Sequence, residues 1–466
     1  MNLKKCAAGI LTVCLTAGGL NASVFQGNES KRILTGHTVT HALRAGRGIA
    51  RKGIPTGHTV IHAHSGGRAI ARKGIQKQET NISESGMVQM SAFSPGYPGL
   101  PFSDIYGDYQ WAFSNSGIFK LVPSRKVKVE NTFNGWLGGQ KPDAVKKGPA
   151  QEAGATTLSV AGMDINIIPA WKKYAEKPGK RSAIVAMIDT GVDYSHEDLW
   201  NSVWVNEDEL PGDGKDNDGN GYIDDMYGWN FYSGNNQVFV GAEDNHGTHS
   251  AGTIAAGRNG KGIVGINDPE YVKIMILKCL GTAAGIGSPE NVSKAIRYAE
   301  ANGAVICNLS FGTAKYSEEL YQTMKNSKML FIVAAGNGDA QAQGYDIDKY
   351  PVYPASFDLD NVISVANLRL DGKLDPTSNY GQKSVDLAAP GDYILSTTSG
   401  NGYGYMSGTS MATPMVTGAA AMLYSYYPAM QLKDIKEKLL SSVRKQDSLN
   451  GKTVTGGMLD VSAAIE

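Results

Sequence analysis

Three short stretches of this chain carry residue types that can perform acyl transfer. In Gly408-Thr409-Ser410-Met411-Ala412-Thr413-Pro414 a serine precedes an almost uncharged run that reaches Tyr427. A helix without a polar face is normally buried, so the pattern puts Ser410 at the mouth of a buried helix. Pro414 is expected in that helix's first turn, where a missing N–H costs little. The free amides of the helix N-terminus favour negative charge beside Ser410. Alone, the stretch reads more simply as a serine N-cap on a core helix.

Two other stretches change that reading. Ala183-Ile184-Val185-Ala186-Met187-Ile188 is a short apolar run that ends in Asp189-Thr190-Gly191. It predicts a buried parallel strand, and open α/β sheets place ligands at the C-terminal ends of such strands. Asp244-Asn245-His246-Gly247-Thr248-His249 then opens a small-residue helix with a histidine at its start. Only His196, His246 and His249 lie beyond residue 64, so the candidates for a general base are few. His196 stands in a charged loop, where it is expected to be solvated, and His249 lies one helical turn beyond His246 on the same helix. The residues alone leave the base open among the three. Asp189 would orient that base, and Ser410 would be the nucleophile. The order Asp, His, Ser is one of three known triad orders.

With these motifs in that order, the chain resembles the subtilisin-like serine proteases, or subtilases. The resemblance begins near Gln110 and is continuous from Asp164 to the C-terminus. Two departures are visible: Ser250 follows His249 where valine is usual, and Met415 follows Pro414 where histidine is usual. Neither removes a triad group. The resemblance implies a doubly wound α/β fold, a mostly parallel seven-stranded sheet with helices on both faces, and endopeptidase activity through an acyl-enzyme. It also implies that His246 is the base and that Asn337 supplies the oxyanion-hole amide together with the Ser410 backbone N–H. Ser310, Phe311 and Gly312 would pair with an extended substrate, and Ala335 and Gly336, near Val352, would line the specificity pocket. None of these is charged, so apolar or large side chains before the scissile bond are expected. Tyr353-Pro354 matches the family's cis peptide.

A metal reading comes from the residues themselves. Asp216-Asn217-Asp218-Gly219-Asn220-Gly221-Tyr222-Ile223-Asp224 sets oxygen-bearing positions alternately, with glycine at the sixth. That is the first part of an EF-hand-like calcium loop, with ligands expected from Asp216, Asp218, Asn220, the Tyr222 carbonyl and Asp224. Tyr227 stands where the bidentate Glu belongs, so the set must be completed elsewhere, with Asp213 and Asp225 nearby. The family resemblance implies a second, weaker calcium site at Asp198 and Asn259, with carbonyls of the 257–263 loop.

The elements that must hold these residues are legible as alternation. Apolar runs at 183–188, 273–279, 304–309, 330–335 and 362–366 predict strands, and 289–302 and 317–327 predict helices between them. Such alternation argues a parallel sheet covered on both faces.

Ahead of this body lies a different composition. Met1 to Ala22, with Lys4, Lys5 and a short apolar run, reads as a secretory signal peptide, so a secreted or extracytoplasmic location is expected. No other run is long enough to cross a bilayer. Cys279 and Cys307 follow that leader as free thiols in strand-like runs, which excludes a disulfide scaffold. Residues 35–76 hold a duplicated 21-residue unit bearing five of the eight histidines. Segment 23–76 has nine Lys/Arg against one Glu, a net +8. With the two lysines of residues 1–22 counted, residues 77–466 carry −10 in a chain whose total is zero. Nucleic acid is not an expected partner, since the basic segment has one aromatic residue. The expected organisation is signal peptide 1–22, basic pro-segment 23–85, N-terminal extension and surface insertion 86–163, and peptidase domain 164–466. Polypeptide substrates and the chain's own pro-segment are the expected partners. Two other classes were weighed: an inactive subtilase-like binding protein, which would lack a triad group, and a histidine-dependent metal binder using residues 35–76.

Overall fold

The computed structural model describes residues 104–117, 119–121, 157–281 and 285–466, with Leu11–Thr12 (β1). The remainder of the expected signal peptide, the basic pro-segment and most of the 86–163 extension lie outside the described residues. Lys120–Leu121 (β2) and Thr157–Leu158 (β3) pair antiparallel. Where the family resemblance begins, the chain forms a single 3-10 turn over Gly107–Tyr109. Gln110 and Trp111 dock by side chain rather than by a ladder. Gln110 exchanges two hydrogen bonds with the Val264 backbone (2.8 and 3.0 Å), and Trp111 Nε1 donates to the Asp392 carbonyl.

The body is built on one sheet, whose strands lie in the spatial order Arg444–Lys445 (β15), Gly457–Met458 (β16), Leu387–Pro390 (β12), Val362–Leu368 (β11), Leu330–Ala334 (β10), Ile306–Leu309 (β9), Ala183–Asp189 (β4), Val272–Lys278 (β6) and Gly228–Asn230 (β5). Every neighbouring pair is parallel except β15–β16. It has nine strands where seven were expected, because short strands too brief to leave an apolar run extend both edges. Leu280–Gly281 (β7) and Ile286–Gly287 (β8) form a small antiparallel sheet, on which β1 also pairs. Ile394–Thr398 (β13) and Gly402–Met406 (β14) form a hairpin.

Period-two alternation along β4 divides the core. Val185 and Met187 face one layer, with Ile167–Glu176 (α1), Asn245–Ala255 (α2) and Thr409–Tyr426 (α5). Ala186 and Ile188 face the other, with Pro289–Ala301 (α3) and Glu318–Asn326 (α4). Each fully buried Val, Ile or Leu contributes about 1.5–3 kcal/mol. Local signals start the outer helices: Ser288 Oγ accepts from the Asn291 N–H with Pro289 following, and Ser317 Oγ accepts from the Leu320 N–H. Leu432–Ser441 (α6) and Val461–Ala464 (α7) close the first layer. The helix α5 is buried without interruption from Thr409 to Leu423, as its uncharged sequence required.

Candidate active site

Asp189 is the last residue of β4, and His246 is the second residue of α2. The ring Nδ1 of His246 lies 2.8 Å from Asp189 Oδ1, and neither side chain is exposed. Facing a carboxylate, Nδ1 carries the proton and Nε2 is left as the acceptor. That Nε2 and Asp189 Oδ2 are both buried and have no hydrogen-bond partner among the described residues. The Thr190 N–H also donates to Asp189 Oδ1 at 2.7 Å. Two glycines permit this approach of helix to strand. A side chain at Gly247 would press on Asp189 Cβ at 3.2 Å, and Gly191 holds φ +116° with Asp244 Oδ1 2.7 Å from where a Cβ would stand.

Ser410 is the second residue of α5, and its hydroxyl donates to the Ser310 carbonyl at 2.9 Å rather than to His246. In return Ser310 Oγ donates to the Ser410 carbonyl at 3.0 Å. Pro414 explains the second bond. It sits at the sixth helical position, not in the first turn, and so cannot donate to the carbonyl four residues back, which is Ser410's. Ser310 supplies the missing donor. Behind it, Asn308 Nδ2 donates to Ser310 Oγ (3.0 Å) and Thr417 Oγ1 donates to Asn308 Oδ1 (2.8 Å).

Asn337 follows β10 and is clamped by Thr409, whose N–H and hydroxyl both donate to Asn337 Oδ1 (2.8 and 2.9 Å). That fixes which end of the amide is which, and leaves Nδ2 beside Gly408, 3.0 Å from an added Cβ. Gly336 (φ +97°) accommodates Asn379, whose Nδ2 donates to the Ala335 carbonyl. Phe311 and Ala335 are buried, and Val352 Cγ1 would meet a side chain at Gly312 at 2.8 Å and one at Gly336 at 3.7 Å. Thus Val352 stands between the two segments expected to bind substrate. The Tyr353–Pro354 bond is cis.

His249 is apart from this chemistry. Its Nε2 faces the carbonyls of Ile394 (2.9 Å) and Gly404 (3.2 Å), tying α2 to the β13–β14 hairpin. Burial holds its pKa down to about 3. His196 is fully buried rather than solvated, with Nε2 3.0 Å from the Gly402 carbonyl and its ring edge-on to Tyr403. Of the two departures from the family pattern, Met415 packs in the core. The Ser250 hydroxyl is buried without a partner among the described residues.

Among the described residues, one group of carboxylates converges as metal ligands do: Glu209, Asp216 and Asp218, with oxygens within 4.8 Å of one another. No basic side chain pairs with them; Lys215 reaches Asp213 instead. Oxygen donors of like charge at this separation suit a hard cation such as calcium. Asn220 lies in the same loop, its amide on Asp218 and Asp225. Asp224 turns away, accepting from the Gly212, Asp213 and Gly214 amides. Asp225 is taken by Tyr298, Asn206 and Asn220, and Asp213 by Asn217 and the Lys215 N–H. The acid that completes the cluster therefore lies upstream, at Glu209. Glu209 is buried, and its sequence signal was only an acid ahead of a Pro-Gly turn. At the second expected site, Asp198 and Asn259 meet each other. Asn259 Nδ2, the Ile263 N–H and the Tyr403 hydroxyl all donate to the Asp198 carboxylate, while Asn259 Oδ1 turns to the Lys261 N–H. Among the described residues, no group of three acidic, His or Cys side chains converges there.

Sequence comparison shows which proteins the chain is similar to. A model of the subtilase family matches residues 180–456. Subtilisin-like protease 1 of Plasmodium berghei (strain Anka) is 35% identical over 299 residues, covering 60% of this chain and 49% of the relative. Its counterpart from Plasmodium vivax is 36% identical over 299 residues, covering 60% and 46%. The major intracellular serine protease of Bacillus subtilis (strain 168) is 34% identical over 275 residues, covering 57% and 77%. The alignments thus span about half the length of the two Plasmodium proteins.

Proposed function

This chain belongs to the subtilase family, and from that premise we propose that it is a serine endopeptidase working through Asp189, His246 and Ser410. The observation that carries the reading is the 2.8 Å contact between Asp189 and His246, two buried residues 57 positions apart whose ring geometry leaves Nε2 free to accept a proton. Ser410 Oγ leaves the Ser310 carbonyl, gives its proton to Nε2 and attacks the substrate carbonyl. Asn337 Nδ2 and the Ser410 N–H receive the oxyanion. His246 then passes the proton to the departing amine, and water hydrolyses the acyl-enzyme by the same route in reverse.

An extended peptide would lie along Ser310–Gly312, with the side chain before the scissile bond between Gly312 and Gly336 above Val352. That environment is uncharged and supports a preference for apolar side chains; a buried Lys or Arg would have no partner there. The same reading includes a calcium ion held by Glu209, Asp216 and Asp218, which would stabilise the 209–225 loop. It also includes export directed by residues 1–22, with residues 23–85 as a pro-segment. Among the described residues no helix is long and apolar enough to cross a membrane.

The test is digestion of a peptide library, with products read by mass spectrometry, for the wild type and Ser410→Ala. Cleavage after Leu, Phe, Tyr or Met by the wild type alone is expected. Equal cleavage by Ser410→Ala, or none by either protein, would sink the reading.

A further inference from the structure

Lys278 heads the largest fully buried side chains of the described residues, at 1% exposure, in the middle of an otherwise apolar run. It ends β6 and stands opposite Asp189 in the sheet register. Its ammonium donates to the carbonyls of Thr190 and Leu280, and contacts Asp244 Oδ1 at 2.6 Å and Glu243 Oε1 at 2.9 Å. These acceptors belong to three different parts of the site. Thr190 follows Asp189, Asp244 precedes His246 by two residues, and Leu280 begins the edge strand β7.

Asp244 is itself unexposed and holds a second set of bonds. Its Oδ2 accepts from the Val240 (2.5 Å) and Gly241 (3.3 Å) amides, which fixes the loop leading into α2. Burial pushes its carboxyl up against the lowering pull of Lys278. The pair therefore joins the end of β4 to the start of α2, and those are the two elements whose relative position sets the Asp189–His246 contact.

Burying a lysine and a carboxylate is costly, and a well-packed apolar pair often serves stability as well or better. An ionic pin here has a use that apolar packing lacks, because it fixes distance and direction between two backbones. We propose that Lys278, through Asp244 and the Thr190 carbonyl, is a positioning residue that holds His246 in register with Asp189. This rests on the protease reading above. Neither residue touches substrate; each acts through the dyad. A displacement on the order of 1 Å at a catalytic group costs about 100-fold in rate.

The experiment uses full-length protein and four forms: wild type, Lys278→Met, Asp244→Asn and the apolar pair Lys278→Met/Asp244→Leu. Active sites are counted with a burst titrant, and kcat per titrated site and KM are measured on one fluorogenic peptide. In parallel, the downfield proton resonance of His246 Nδ1–H is recorded for each form in a Ser410→Ala background. The inference expects kcat per site to fall about 100-fold in Lys278→Met and at least tenfold in Asp244→Asn. KM should stay within threefold, and the resonance should move or broaden. The apolar pair should keep the melting temperature of the wild type yet share the kcat loss. If Lys278→Met does not fold, Asp244→Asn and the apolar pair decide. Variants with kcat per site within threefold of wild type, or with an unmoved resonance, overturn the inference. A wild type that hydrolyses nothing overturns the protease reading instead, and the resonance still tests the positioning.

Discussion

Ser310 and Ser410 exchange two hydrogen bonds: the Ser410 hydroxyl donates to the Ser310 carbonyl, and the Ser310 hydroxyl donates to the Ser410 carbonyl. The second bond exists because Pro414 has no N–H to offer. Ser310→Ala should therefore leave a buried carbonyl unsatisfied and cost about 1–3 kcal/mol. Adding Pro414→Ala to that variant returns a helical donor and should recover most of the loss. Urea denaturation of both variants with Ser410→Ala present, to prevent self-digestion, measures this. Strictly additive losses would show that the proline has no part in it.

Asn337 and Thr409 give a graded pair of changes. Asn337→Leu should lower kcat about 10²–10³-fold with little change in KM, corresponding to about 2.7–4 kcal/mol, a range measured in subtilisin itself. Thr409→Val removes only the hydroxyl donor to Oδ1, so the amide is still held by the Thr409 N–H. A loss of about tenfold in kcat is expected there. If Thr409→Val equals Asn337→Leu, the threonine does more than orient the amide.

The calcium reading separates residues that the sequence alone groups together. At calcium concentrations of about 100 times the dissociation constant, binding would stabilise the fold by about 2.7 kcal/mol. EDTA should lower the melting temperature of the wild type. Glu209→Gln and Asp216→Ala should abolish that response, whereas Asp224→Asn should retain it, since Asp224 caps a neighbouring turn. A calcium response lost with Asp224 and kept without Glu209 would reverse the assignment.

Acid stability follows from His249. Its pKa falls from 6.5 to about 3 on folding, because burial disfavours the charged ring. The unfolded chain therefore binds the proton more readily. The stabilisation is complete above pH 6.5 and is lost as pH falls below it, at about 1.4 kcal/mol per pH unit. His249→Gln, which can still donate to Ile394 and Gly404, removes this titration. Between pH 6.5 and 4.5, Ser410→Ala protein should lose about 2.5 kcal/mol more than the same protein with His249→Gln. Parallel losses would mean that His249 does not set the acid limit.

Much of this molecule is legible before folding is considered. The five strand runs and two helix runs are where they were expected, since each is long, apolar or amphipathic, and bounded by turn residues. The proposed triad positions follow from motif residues that stand at strand and helix ends. The short edge strands were not legible, because two or three residues carry no period. Contacts across the fold were hidden for another reason. Nothing near Asn337 in sequence names Thr409 as its clamp, and the loop 216–224 cannot reveal that its buried acid is Glu209. Lys278 did carry a signal, a lone charge inside an apolar run, and its partners are visible only in three dimensions. Pro414 was misplaced by one turn because helix starts are set by backbone hydrogen bonds that residue type only suggests.

The proposed catalytic residues hang from separate elements, with Ser410 lying 164 residues after His246. Synthesis proceeds from the N-terminus, so the base and its carboxylate emerge long before the nucleophile does. Helix α5, which carries Ser410, packs in the same layer as α2, which carries His246. A chain that stops short of residue 408 thus lacks the proposed nucleophile, its backbone N–H and the Thr409 clamp on Asn337 together. On the proposed mechanism, the order of the segments withholds activity from a growing chain until Ser410 has been made.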